Sequence, residues 1–112
     1  MIKIIEFAIT EILIAEEACS KMISKACMRS PLTPHRVTGL CSNDEKVFVI
    51  LEECLEDEKL PEYRFAPLSS LNEKDLTSEV SARFYSGFTT IASFRVEDRL
   101  WALFASRKTA DK

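Results

Sequence analysis

Val47-Phe48-Val49-Ile50-Leu51 and Leu100-Trp101-Ala102-Leu103-Phe104 are unbroken apolar runs in a chain that is otherwise well supplied with charge. A β-strand sends successive side chains to opposite faces. Val47, Val49 and Leu51 therefore oppose Phe48 and Ile50, and Leu100, Ala102 and Phe104 oppose Trp101 and Leu103. A strand with one wet face alternates apolar with polar. Neither run does, so both faces of both strands need cover.

Each run follows a polar turn and an earlier β-branched or aromatic stretch. The turns are Ser42-Asn43-Asp44-Glu45 and Val96-Glu97-Asp98-Arg99, and Asn and Asp tolerate the left-handed backbone of tight turns. The pattern predicts strands at 36–42, 46–53, 89–95 and 99–106. Glu6-Phe7-Ala8 matches Arg64-Phe65-Ala66, and Pro67 follows the second. A residue before proline avoids helical geometry, which favours strands at 62–68 and, by analogy, at 2–9.

Between strand and hairpin each half carries a helical pattern. The first covers about 12–28, with Thr10 as N-cap and Pro31 beyond its end; Ala15, Ala18, Cys19, Met22, Ala26 and Cys27 form its apolar stripe. Glu17 and Lys21 stand in the favourable i, i+4 order. The second helix covers about 73–85, with Asn72 as N-cap, Leu76, Val80 and Phe84 as its stripe, and Gly87 at the C-terminal cap.

The expected fold is α+β: a tandem βαββ repeat forming one antiparallel sheet with two helices packed on one face. Repeat one spans about 2–53, an acidic connector 54–61, repeat two about 62–106, and a frayed tail 107–112. Two helices about 10 Å across blanket one face of a six-stranded sheet. That leaves Phe48, Ile50, Trp101 and Leu103 uncovered on the other, at a loss of about 1.5–3 kcal/mol each if they stay in water. Barrel closure, a second copy of the chain, or an apolar ligand would cover them. These four residues are the expected ligand or interface lining.

Composition narrows the classes of function. At 112 residues the chain makes one domain, and 46% apolar content supplies a core. The formal charge of −3 lacks the basic surplus of a nucleic-acid binder. The acidic side chains concentrate before residue 59 and the basic ones after it, so the halves can attract one another within the fold or across a homodimer. No apolar run approaches the roughly 20 residues of a membrane span. Glu6, Glu16 and Glu17 do not suit a signal peptide, and the expectation is a cytoplasmic protein with neither nucleic-acid nor membrane partners.

Catalytic and metal signatures are weak. Cys19, Cys27, Cys41 and Cys54 form no C-x-x-C pair and read as small hydrophobes, so neither metal nor cofactor is expected. His35, the one histidine, reads as a surface residue before a strand, far from Cys41 at the strand's other end. Glu52, Glu53, Glu56, Asp57 and Glu58 read as a solvated charge run. Glu6 interrupts apolar sequence and reads as facing outward from an edge strand. Arg95, Arg99 and Arg107 neighbour Phe94 and Trp101, but without the glycine of an RNA-binding sheet motif.

The doubled strand–helix–strand–strand order resembles the gyrase-inhibitor-like effector-binding domains, in which two such repeats face each other around a ligand cleft. The resemblance covers most of the chain, rests on element order, and carries no binding residue across. The expected function is a non-enzymatic binding or regulatory module using the second sheet face as ligand cleft or homodimer interface. The alternatives are a small enzyme with a carboxylate such as Glu6 in the sheet cleft, and a protein-interaction or inhibitor domain using sheet edges.

Overall fold

The computed structural model describes residues 2–29, 33–54, 60–69 and 72–109. Its elements run β1 (Ile2–Ala8), α1 (Ile9–Ile14), α2 (Glu16–Arg29), β2 (His35–Ser42), β3 (Lys46–Glu53), β4 (Pro61–Pro67), α3 (Glu73–Tyr85), β5 (Phe88–Val96) and β6 (Arg99–Thr109). The architecture is α+β. Every expected strand is present. The middle of the connector and residues 110–112 of the tail lie outside the described residues.

The strands form two three-stranded antiparallel sheets and not one. Their orders are β1-β3-β2 and β4-β6-β5, so the apolar runs at 47–51 and 100–104 each occupy a central strand. The edges β2 and β5 lie alongside one another without a ladder between them. Both carry a bulge, between Val37 and Gly39 and between Thr90 and Ala92. A bulge twists an edge and breaks its hydrogen-bond register. At the β2 edge the backbone N–H of Val37 is satisfied by the hydroxyl of Tyr63 from β4, at 3.0 Å.

Two sheets change the covering problem. The main core gathers Phe7, Val37, Val47, Val49 and Leu51 from the first sheet with Tyr63, Phe65, Phe94, Trp101 and Leu103 from the second. Ile9 and Ile12 of α1 and Cys19, Ile23 and Cys27 of α2 complete it. A chain of rings crosses between the sheets. Phe7 meets Phe65 edge-on with centroids 5.7 Å apart, Phe65 meets Phe94 at 5.9 Å, and Phe94 stacks on Trp101 at 6.5 Å. The second sheet's other face carries Ala66, Ala102 and Phe104, with Leu76 of α3 packed against them.

The helices depart from expectation in detail. The first is two helices, parted at Ala15 (φ −134°, ψ 54°). Its N-cap is Ala8 and not Thr10, and the carboxylate of Glu11 accepts the Ala8 N–H at 3.0 Å. The buried stripe of α2 is Cys19, Ser20, Ile23 and Cys27, while Ala18 and Met22 face out. The rotation has a polar cause: Ser20 Oγ accepts the N–H of Phe65 at 2.8 Å and Ser24 Oγ accepts that of Tyr63 at 3.2 Å. The helix thereby seals the free edge of β4, whose donors would otherwise go unpaired. The Glu17–Lys21 pair forms at 3.8 Å. In α3, Asn72 caps Lys74 and Asp75 as expected, and Gly87 takes φ +102°. Leu76 and Val80 are only half-buried, and Phe84 is exposed.

Candidate functional site

The four residues expected to line one face do not come together. Trp101 is 6% exposed and Leu103 fully buried, both in the core between the sheets. Phe48 and Ile50 lie half-buried on the opposite, outer face of the first sheet. Splitting the sheet lets the first half's core face cover the Trp101 side of the second. The shortage of cover moves to the outer face of the first sheet.

The ladder register defines that outer face. Ile4 pairs with Ile50, which pairs with Gly39; Glu6 pairs with Phe48, which pairs with Cys41. Ile2 and Ile4 are each 62% exposed, a large area for isoleucine. Gly39 contributes no side chain, and Ile50 Cδ1 lies 3.6 Å from where a Cβ would stand, so the isoleucine spreads into that space. Opposite charges rim both ends. Glu6, exposed as expected, forms an ion pair with Lys46, and Arg36 stands across the ladder from Glu52.

His35 is buried at 2% exposure and not on the surface. The strand begins one residue earlier than its pattern indicates, which turns the imidazole inward on the same face as Val37. Its Nδ1 lies 3.2 Å from the Thr33 carbonyl, and its Nε2 is buried without a hydrogen-bond partner. The thiol of Cys27 on α2 is pushed up to about 12, first by burial and then by Cys54 nearby. Burial likewise pushes the Tyr63 phenol up to about 12, against the opposing hydrogen bond from Val37. These shifts make both groups poor nucleophiles at neutral pH. Cys41, six residues along β2 from His35, is exposed on the outer face and does not meet it.

A concavity lies between α2, β4 and α3, with a volume of about 670 Å³. Lys21, Lys25, Arg64 and Arg83 line it, together with Glu16, Glu17 and Glu62. Arg83 lies over the ring of Phe104 at 4.7 Å and Arg64 over that of Phe88 at 5.5 Å. The pattern of charge and hydropathy singled out neither arginine. Arg64 stands in a β-strand with apolar neighbours, where its outward position was the only available signal. Arg95 and Arg99, which the sequence did bring forward, are exposed at the β5–β6 turn, where Arg95 Nε donates to the Glu97 carbonyl at 2.8 Å.

Among the described residues no helix is long and apolar enough to cross a membrane. No family model, curated protein or solved structure matches the chain.

Proposed function

We propose that this chain is a non-enzymatic association module, built from two related βαββ halves, that pairs reversibly with a second copy of itself through the outer face of its first sheet. The observation that carries the reading is the apolar surface of exposed Ile2 and Ile4 with partly exposed Phe48 and Ile50, on a sheet face with no element over it among the described residues. Contiguous exposed apolar surface of this kind marks a contact site. A two-fold contact must be self-complementary. Each end of this face carries both signs of charge, Glu6 with Lys46 and Arg36 with Glu52, so a stacked copy meets no net repulsion. The common strand order of the two sheets supports the related halves. The exposure of Glu6 and its pairing with Lys46 support a binding role over carboxylate chemistry.

Size sets the strength. Three strands of seven or eight residues present a face of roughly 14 by 25 Å. Two such faces bury on the order of 700 Å², below the area of a permanent dimer and within the transient range. Sedimentation equilibrium from micromolar to millimolar protein should therefore show a monomer–dimer equilibrium. Phe48→Asp and Ile4→Asp, each checked for folding by circular dichroism, should shift it to monomer. A wild-type chain that stays monomeric at millimolar concentration, or variants that dimerise as the wild type does, would rule the reading out.

A further inference from the structure

The groove between α2, β4 and α3 lies away from the outer face of the first sheet, and its chemistry is different. Its volume of about 670 Å³ falls within the range of small-molecule sites. Two guanidinium groups enter it from different elements, Arg64 from β4 and Arg83 from the last turn of α3. Each is held over a ring of the second sheet, Phe88 or Phe104, and those two rings belong to one apolar cluster. Stacking holds a guanidinium in place, so less rotamer freedom is lost when it binds.

Neither arginine ion-pairs with a carboxylate among the described residues, and Arg83 Nε is buried without a hydrogen-bond partner. Of the groove's acids, Glu17 pairs with Lys21, which leaves two carboxylates, Glu16 and Glu62, to three cations, Lys25, Arg64 and Arg83. The groove's apolar surface comes chiefly from exposed Met28, with Ala66 beside it. Its floor offers no ladder to an incoming strand at Tyr63 and Phe65, because Ser20 and Ser24 already take those N–H groups. Recognition there falls to side chains.

We propose that this groove binds a small organic oxyanion, a carboxylate or phosphate carried on an apolar body, with Arg64 and Arg83 as the clamp. Guanidinium groups match both oxyanions through paired, charge-assisted hydrogen bonds.

The test titrates octanoate, octyl phosphate and octan-1-ol into the full chain, read by calorimetry and by the arginine Nε–H resonances in NMR. At least one anion should bind and move the Arg64 and Arg83 resonances, with the alcohol about tenfold weaker or more. The two anions compared show which headgroup the clamp prefers. Arg64→Gln and Arg83→Gln should each weaken binding about tenfold, with Arg64→Lys intermediate. Octan-1-ol binding as tightly as both anions, no binding of either anion at millimolar concentration, or undiminished affinity in both Gln variants would overturn the proposal. The wild-type resonances decide the matter even if a variant fails to fold. A monomeric chain would leave this site untouched, so the dimer and the groove stand or fall separately.

Discussion

Tyr63 joins the two sheets through a single oxygen. Its hydroxyl accepts the N–H of Val37 at the β2 edge, and burial raises the phenol from 10.0 to about 12. Below pH 10 the phenol is neutral in folded and unfolded chains, and its full contribution is present. Between pH 10 and about 12 the unfolded chain ionises while the folded one resists, so stability falls as pH rises. Cys27, raised from 9.0 to about 12, adds a loss of the same sign that begins one unit lower. Urea unfolding from pH 8 to 11 should show this decline. Tyr63→Phe should lower stability at pH 8 by about 1–3 kcal/mol, because the Val37 N–H loses its acceptor, and should make the alkaline decline shallower. An equally steep decline in the variant would mean that Tyr63 titrates normally. The thiols should also separate by reactivity: at pH 8 a thiol reagent should label exposed Cys41 well before buried Cys19 and Cys27.

At the scale of elements, α2 and α3 are held in opposite ways. The α2 helix buries Cys19, Ile23 and Cys27 and locks onto β4 through two serine hydroxyls. Ser20→Ala should cost about 1–3 kcal/mol in urea unfolding, since the Phe65 N–H is left buried without an acceptor. A loss no larger than that of an exposed Ser→Ala change would show that the edge finds another partner. The α3 helix has a good cap and no fully buried residue. Its amides should exchange with deuterium faster than those of β3 and β6, because local opening there exposes little apolar surface. The sequence showed the cap at Asn72 and the stop at Gly87 because both act through neighbouring backbone. It did not show the inward serines of α2, whose partners lie some forty residues away on another strand.

At the scale of the whole molecule, the positions of Trp101 and Phe48 separate two jobs that the apolar runs do not distinguish. Trp101→Ala should cost about 3–5 kcal/mol through the cavity it leaves in the shared core. Phe48→Ala should cost less in the monomer, because its ring lies outside the shared core and is partly exposed. Equal losses would place Phe48 in a core that the two-sheet arrangement does not give it.

Strand positions, both turn sites, α3 and the cover over both faces of 99–106 were legible in the chain, because alternation, capping and turn chemistry operate within a few residues. The division into two sheets, the burial of His35, the separation of Phe48 and Ile50 from Trp101 and Leu103, and the meeting of Arg64 with Arg83 came only with the tertiary structure. Each depends on which edges pair and which faces oppose. Bulged β2 and β5 edges and the capture of the Val37 N–H by Tyr63 made that choice, through contacts between segments that local periodicity does not connect.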